Sequence, residues 1–452
     1  MMLKNIRVDG LFDRFTHEIP LNLADRITII HGPNGFGKTM ILRMLDAFFN
    51  YSHLSLAKIP FRELRLDFDD TTVVSVHRTL HELAGEQSEE RATVEFTYSE
   101  PGKPSQSFTP KPLSPVEQVG FPVGMIEEII PELDQVDRLE WRHRGTGAIL
   151  SLEEVLDKYR DELPVDMRYR DLKAPTWLRG IREAVPVRFI NTERLYTTPT
   201  RRRRLSLSPT YVSPEPAVRR YSEELGETIR LTLTEYGRLS QSLDRTFPGR
   251  LVAEPPLSGV TKEELRKELA DIETKRKQLL EAGLLSQESG SRLEVTSMPN
   301  LENIDETKRG VLSVYARDAK QKLGVFDQVF AKIDLFKKLV NARFLHKKIT
   351  VEQSGFQVIT ANGTQLDPVL LSSGEQHEIV LLYELLFRVS ENSILLIDEP
   401  ELSLHIAWQE AFLEDLGKIT ALSRIQALIA THSPQIINDR WDLTVELKGP
   451  VT

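Results

Sequence analysis

The feature that most constrains the fold is a glycine-rich segment of eight residues, GPNGFGKT at 32–39. A β-rich apolar run, RITIIH at 26–31, comes before it, and the apolar residues that follow fall at helical spacing over 40–48. In the order strand, loop, helix, backbone N–H groups at the helix N-terminus point toward a bound phosphate. The pattern therefore favours a phosphate-binding loop over an ordinary glycine-rich turn.

The spacing G-x-x-x-x-G-K-[S/T] gives individual residues of this loop a role. Lys38 would neutralise charge on the β- and γ-phosphates of a nucleotide, and Thr39 would hold magnesium. The residues expected to contact the nucleotide are Gly32, Asn34, Gly35, Phe36, Gly37, Lys38, Thr39 and Met40.

A second segment, SILLIDE at 393–399, reads as a buried parallel strand that ends in two carboxylates. This placement at the carboxyl edge of a sheet suits metal and water chemistry. Asp398 would bind the magnesium shell, and Glu399 would polarise an attacking water. Strands that end in acids are common, so this assignment depends on the glycine-rich loop upstream.

Composition limits the classes of function. The 452 residues carry 58 Lys and Arg against 67 Asp and Glu, a formal net charge of −9, which disfavours nucleic acid without excluding a local basic patch. No cysteine is present, which excludes disulfides and cysteine nucleophiles and fits a reducing compartment. No stretch approaches the roughly 20 apolar residues of a membrane span. We therefore expect a cytoplasmic protein without membrane contact.

Alternating apolar and polar residues predict several strands. A first hairpin is expected at 3–21, an antiparallel β-lobe at about 60–110, and a further hairpin at 346–363. Residues 101–215 are poorly periodic apart from a strand, PVRFIN, at 186–191.

Helical patterns fill most of the remainder. They cover 216–245 and 304–345, and Val325, Val329, Ile333, Phe336 and Val340 mark one face of the latter. Between them, Thr261 to Glu264 form a capping box that opens a charged helix with heptad-like apolar spacing. Such a helical arm fits an intramolecular hairpin as well as a dimer or partner interface, and the intramolecular hairpin is preferred.

Three further segments carry a family resemblance. LSSGEQ at 371–376 looks like the ABC signature, and DEPE at 398–401 with Leu404-His405 resembles the Walker B and D-loop of RecF, SMC and OLD-type ATPases. ATHSP at 430–434 follows in the family's order and places His432 as the switch histidine. The resemblance covers about 1–60 and 345–440, with the β-lobe in outline.

The resemblance implies that ATP and Mg²⁺ are the ligands and that two copies complete each nucleotide site. In this family the signature contacts the nucleotide of a second head, which implies nucleotide contacts from Ser372, Ser373, Gly374 and Glu375 and a homo-oligomer, at least a dimer and as large as a hexamer. His432 would sense the γ-phosphate and join Lys38 and Glu399 as a catalytic residue. Glu193 aligns with the family's Q-loop glutamine, and a glutamate there leaves open whether it is a metal ligand or a solvated side chain.

We therefore predict an α/β protein, an ABC-type P-loop ATPase head with an antiparallel β-lobe and an inserted, coiled-coil-like helical arm. Its predicted parts are an N-terminal lobe at 1–200, the arm at 201–345 and a C-terminal lobe at 346–452. The enzyme is expected to hydrolyse ATP to ADP and phosphate.

With its short arm and the segments INTERLYT, LSSGEQ and IDEPELSLHIAWQ, the chain is similar to ATPase subunits of bacterial anti-phage systems such as PARIS and Septu. That similarity implies a sensor and scaffold that controls a separate nuclease effector, Toprim-type or HNH-type, in response to a phage-encoded trigger protein. A RecF-like DNA-repair clamp on duplex DNA is the alternative, and a scaffold with negligible hydrolysis is a third. The run Arg201 to Arg204 fits DNA phosphate, an acidic DNA-mimic trigger or a solvated loop.

Overall fold

The computed structural model describes residues 1–50, 52–81, 91–110, 122–130, 132–144, 147–159, 163, 174–190, 196–197, 215–253, 261–285, 306–404 and 406–449. Contacts divide the chain into two compact units, Met1–Glu215 with Glu384–Thr452, and Pro216–Tyr383. The sequence-based domain boundaries at 200 and 345 stay predictions. In the described part of the chain, every helix falls short of the length and apolar character that a bilayer crossing requires.

The elements are numbered in chain order. The strands are β1 (Leu3–Leu11), β2 (Phe15–Pro20), β3 (Ile27–His31), β4 (Glu63–Phe68), β5 (Val73–His81), β6 (Arg91–Ser99), β7 (Gln106–Phe108), β8 (Leu133–Asp137), β9 (Glu140–His143), β10 (Ile149–Ser151), β11 (Val187–Ile190), β12 (Tyr196–Thr197), β13 (Glu215–Pro216), β14 (Lys347–Glu352), β15 (Gly355–Thr360), β16 (Gln365–Leu366), β17 (Ile394–Asp398), β18 (Gln426–Ala430) and β19 (Thr444–Glu446).

The helices are α1 (Lys38–Phe49), α2 (His53–Lys58), α3 (Met125–Ile129), α4 (Leu152–Lys158), α5 (Thr176–Ala184), α6 (Ala217–Ala253), α7 (Lys262–Glu281), α8 (Glu306–Gly324), α9 (Asp327–Asn341), α10 (Ser373–Tyr383), α11 (Ile406–Ser423) and α12 (Pro434–Ile437). Short 3-10 turns occupy Pro368–Leu370, Pro400–Ser403 and Trp441–Leu443, and a π-helical turn occupies Glu384–Arg388.

A parallel sheet of five strands, in the order β11-β17-β18-β3-β19, forms the centre of the first unit. β17 and β18 read ILLID and QALIA and are almost wholly buried, because parallel strands are usually covered on both faces. All five run in the same direction. The glycine-rich loop after β3 and the acids that end β17 therefore lie at one edge of the sheet, and the strands predicted at 26–31, 186–191 and 393–399 are confirmed.

A six-stranded antiparallel sheet, β2-β1-β4-β5-β6-β7, forms the predicted β-lobe and takes in the first hairpin. Its strands alternate, as β4 shows with its buried Leu64, Leu66 and Phe68. One face is thus apolar and supplies a core.

Helix α1 packs between the two sheets. The Phe48 ring lies 6.0 Å from that of Phe96 on β6, and the same core includes Leu396 of β17 and Leu428 of β18. Full burial of side chains of this size contributes about 1.5–3 kcal/mol each. The residues that follow the glycine-rich loop are therefore fixed by packing on both sides.

A small subdomain lies within the poorly periodic region of the sequence. Strands β10-β9-β8 form an antiparallel sheet beside α3 and α4, around a fully buried Trp141. Helix α4 begins with a capping box between Ser151 and Glu154. These strands have three to five residues, too few to give a period that the sequence analysis could detect.

The second unit contains the helical arm. The predicted capping box is confirmed, since the Thr261 hydroxyl accepts a hydrogen bond from the Glu264 amide at 3.2 Å and the Glu264 carboxylate accepts one from the Thr261 amide at 2.9 Å. The apolar side of α7, with Leu265, Leu269 and Leu279 buried, faces α8 within the same chain. The arm thus packs within the chain, and whether it also forms a dimer or partner interface stays a prediction.

The prediction of one helical stretch over 304–345 was wrong in one respect. Two helices, α8 and α9, fill it, and Val325 lies in the turn between them rather than on the face of Val329. Gly324 ends the first helix, and Phe326, fully buried, caps the second. Burial of this aromatic ring outweighs the continuous helical pattern.

The hairpin predicted at 346–363 is confirmed as β14 and β15, with Glu352 opposite Gly355. Its turn lies against α6, where the Ser222 hydroxyl donates to the Phe356 carbonyl at 2.7 Å. Gly355 has φ +122°, and a Cβ there would stand 2.0 Å from the Ser222 carbonyl oxygen. Only glycine fits this close approach of two backbones.

Gly355→Ala is therefore expected to lower the free energy of unfolding of the second unit by about 2–4 kcal/mol, from strain and overlap together. Urea unfolding followed by circular dichroism measures this change. Gly363→Ala is the control, because Gly363 has φ +80° but no described atom within 4 Å of its added Cβ. Its loss should be about 1 kcal/mol, and equal losses in the two variants would contradict the packing described.

Candidate nucleotide site

Lys38 is the first residue of α1 and is buried, with 5% exposure. Its Nζ donates to the Gly32 and Pro33 carbonyl oxygens at 2.8 and 3.1 Å. Burial lowers the pKa of Lys38, and the carboxylates of Glu399, Asp398 and Glu401 act in the opposite direction. The Lys38 ammonium group thus lies inside the glycine-rich loop, whose amide groups are expected to bind phosphate.

The loop keeps its shape because Gly37 caps α1 without a side chain. Its φ is +91°, and a Cβ there would stand 2.4 Å from Cδ2 of Leu11 on β1. The first turn of a helix has amide groups without intrahelical partners, which makes it a site for anions.

The β1–β2 hairpin supports this loop from outside. His17 Nε2 is 2.9 Å from the Phe36 carbonyl oxygen, and the Phe15 ring lies 5.3 Å from the Phe36 ring. Burial lowers the pKa of His17, so a neutral imidazole that donates through Nε2 fits the site. Sequence reasoning missed His17, because only the fold brings the second strand to the loop.

The glycine-rich loop and β17 meet through one hydrogen bond. The Thr39 hydroxyl donates to Oδ1 of Asp398 at 3.1 Å. Burial raises the pKa of Asp398, and the Thr39 hydrogen bond opposes that rise. Two of the three residues predicted to hold magnesium, Thr39 and Asp398, are therefore adjacent.

Glu399 follows directly in a left-handed conformation, with φ 45° and ψ 58°. Its amide donates to the Ala430 carbonyl at 2.8 Å, which ties it to the end of β18. Non-glycine residues in this conformation are strained and concentrate at functional sites.

His432 lies just after β18, the strand between β3 and β17. Its Nδ1 is 3.5 Å from Lys38 Nζ, and its amide donates to Oε1 of Glu401 at 2.9 Å. The structure thus brings together two pairs of predicted site residues. Lys38 contacts His432, and Thr39 contacts Asp398.

Two supporting residues had no predicted role. Gln409, nearly buried on α11, donates to the Glu401 and Leu404 carbonyls at 3.2 and 3.0 Å and accepts from the Ser433 hydroxyl at 3.1 Å. Gln409 and Glu401 together join the loop after β17 to the histidine loop. Glu401 belongs to the DEPE segment, but its hydrogen bond to the His432 amide depends on the fold and has no signal in the sequence.

The remaining predicted residues belong to other parts of the chain. Ser372, Ser373, Gly374 and Glu375 form the start of α10 in the second unit, where Ser372 precedes the helix. Glu193, His405 and the run Arg201 to Arg204 lie outside the described residues.

The donors at the Thr39–Asp398 contact fit a magnesium ion. A hydroxyl and a carboxylate oxygen are hard donors of the kind Mg²⁺ prefers. Among the described residues, no group of three or more His, Cys, Asp or Glu could hold a metal. Mg²⁺ at nucleotide sites needs none, since phosphate and water oxygens complete its shell.

A family model described as "AAA domain, putative AbiEii toxin, Type IV TA system" matches residues 240–438. This span contains Ser372, Asp398 and His432 but not the glycine-rich loop. The match and the geometry of the loop, β17 and β18 agree. The α/β fold is that of a P-loop ATPase.

A curated relative covers only a short segment. Protein ea59 of Escherichia phage lambda is 31% identical over 107 residues, 24% of this chain and 20% of that protein. The match therefore spans about a fifth of the relative's length.

Solved structures give a weaker likeness. The SMC head domain of Thermotoga maritima is 12% identical over 100% of both chains, with a TM-score of 0.33. The Pyrococcus furiosus Smc head bound to the C-terminal domain of ScpA is 12% identical over 96% of this chain and 91% of that chain, with a TM-score of 0.31.

Glu401→Ala should lower the turnover of ATP about tenfold, because a lost charge-assisted hydrogen bond is worth about 1.5–3 kcal/mol and frees the histidine loop. The KM for ATP should change less than about threefold, since the lost contact does not involve Lys38. Steady-state phosphate release measures both. Glu410→Ala, an exposed glutamate on α11, is the control, and equal activity of the two variants would remove Glu401 from the site.

Proposed function

We propose that this protein binds ATP with magnesium and hydrolyses it, and that the nucleotide state switches its assembly. The observation that carries the proposal is the 3.5 Å separation of Lys38 Nζ and His432 Nδ1, beside the Thr39–Asp398 contact. A phosphate bound by Lys38 would lie within reach of His432. A loop built only for structure has no need of a buried cation next to three carboxylates.

Each residue has a distinct role in this proposal. The amide groups of the loop, over Gly32 to Met40, bind the phosphates, and Lys38 exchanges its loop carbonyls for phosphate oxygens. Thr39 and Asp398 would hold Mg²⁺, which supplies charge neutralisation at the phosphates. Glu399 orients and polarises the attacking water, while His432 responds to the γ-phosphate.

The signature residues Ser372 to Glu375 would complete the nucleotide site of a second copy. Their position at the N-terminus of α10 supports anion binding, because the amide groups and dipole of a helix start favour negative charge. ATP would then join two heads, and hydrolysis would release them. The protein would be a homo-oligomer, at least a dimer.

We further propose that this switch controls a separate nuclease effector in anti-phage defence. The description of the matching family names a toxin of a type IV TA system, which is compatible with a role in such a system. The partial relative in a phage genome is compatible with the same setting. A phage protein, including an acidic DNA mimic, would be the trigger.

Two substitutions separate nucleotide binding from hydrolysis. Lys38→Ala should weaken ATP binding about 100-fold, whereas Glu399→Gln should bind ATP normally and hydrolyse it about 100-fold or more slowly, as expected for loss of a general base. Calorimetry and phosphate release measure the two effects. With Glu410→Gln as the control, hydrolysis by Glu399→Gln at the native rate would refute the assignment.

Titration with linear duplex DNA at fixed, moderate salt tests the role of the switch. A protein-sensing switch should hydrolyse ATP at a rate that changes less than about twofold across the titration, given the net charge of −9. Glu399→Gln provides the blank. Strong stimulation by DNA would instead favour a RecF-like clamp on duplex DNA.

A further inference from the structure

The start of α10 is closed by its own side chains. The Ser372 amide and hydroxyl both donate to Oε2 of Glu375, at 3.0 and 2.9 Å, and the Glu375 amide donates to the Ser372 hydroxyl at 3.4 Å. This reciprocal arrangement is a capping box, and it satisfies amide groups that otherwise lack partners. A carboxylate therefore occupies the helix N-terminus where the proposed function requires a phosphate.

Such a carboxylate opposes phosphate binding. A phosphate and an ionised Glu375 would be like charges competing for the same donors, and repulsion at this distance is strong where water is partly excluded. Burial acts to raise the pKa of Glu375, but hydrogen bonds from Lys347 and Ser372 outweigh it, so its pKa lies below the ordinary value. Glu375 is ionised at neutral pH.

The Lys347 ammonium group is positioned to neutralise the Glu375 carboxylate. Its Nζ donates to both carboxylate oxygens of Glu375, at 2.8 and 2.9 Å, and both side chains are mostly buried, with 27% and 17% exposure. Lys347 is the first residue of β14. Two residues further along the strand, the Ile349 backbone exchanges two hydrogen bonds with the Asn341 side chain, at 2.7 and 3.2 Å. The hairpin therefore holds the lysine in place.

The helix itself does not depend on Lys347. Arg343 donates to the buried Glu378 at 2.8 Å, one turn further along α10. Gln376 donates to the Val369 and Leu371 carbonyls, both at 2.9 Å. Removal of the Lys347 ammonium should therefore change the charge at the helix start and leave its position unchanged.

We infer that Lys347 is a positioning residue for the signature, which holds and neutralises Glu375 so that Ser372 can bind the γ-phosphate of a second copy. This inference rests on the proposed function. It adds a cation that acts through Glu375 and does not touch the nucleotide. Lys347 lies on β14, which packs against α9 of the arm, so a movement of the arm would reach the signature through this lysine.

The test measures ATP-dependent dimerisation by analytical ultracentrifugation together with kcat for ATP. Lys347→Met should reduce both at least tenfold, while ATP binding by the monomer and the melting temperature stay as in the wild type. Lys348→Met, at an exposed lysine of the same strand with no ion pair among the described residues, should change neither. Lys347→Arg should retain most of the activity.

The double variant Lys347→Met/Glu375→Gln distinguishes charge from structure. Glutamine keeps the capping box but carries no charge, so it should restore dimerisation and kcat to within about threefold of the wild type. A double variant as impaired as Lys347→Met would show a merely structural role and overturn the inference.

Ser372→Ala separates this inference from the proposed function. Loss of dimerisation in Ser372→Ala with normal behaviour of Lys347→Met would overturn the role of Lys347 alone. A wild-type protein that fails to dimerise with ATP would overturn the second-copy site and the inference with it.

Discussion

The nucleotide site depends on keeping one buried ammonium group charged. Burial alone would favour the neutral form of Lys38, and its pKa is indeed lowered. Three carboxylates, on Glu399, Asp398 and Glu401, resist that change, and two loop carbonyls accept hydrogen bonds from the ammonium group. The acids therefore have a role before any phosphate arrives, besides the metal and water chemistry proposed for them. Because three carboxylates share this role, the loss of one leaves two that still favour the charged lysine.

The order of the strands places His432 beside this lysine. β18 lies between β3 and β17, so the histidine after it stands between the cation of one strand end and the acids of another. Gln409 and Ser433 hold the two loops together, at 3.1 Å, on the side of α11. A change at the phosphate position would affect both the loop after β17 and the loop of His432, because hydrogen bonds join the two loops.

Local chemistry explains what the sequence could predict. The glycine-rich loop, the apolar strand before Asp398, the Thr261 capping box and the hairpin at Gly355 each depend on neighbouring residues, and all were recognisable. Long-range packing explains the misses. His17 reaches Phe36 only after a sheet has formed, and the break before α9 follows from the burial of Phe326. The roles of Glu193 and of Arg201 to Arg204 stay predictions, as do the functions assigned to the site residues.

The left-handed backbone conformation of Glu399 lowers the stability of the fold at a position where the proposed chemistry needs a glutamate. At φ 45° a side chain is strained, and asparagine or glycine would adopt the same conformation at lower cost. Directed evolution for heat resistance alone would thus tend to replace this glutamate and, with the role proposed for Glu399, select well-folded proteins that have lost turnover. Engineering a robust version requires selection on turnover, with stabilising changes sought far from the end of β17.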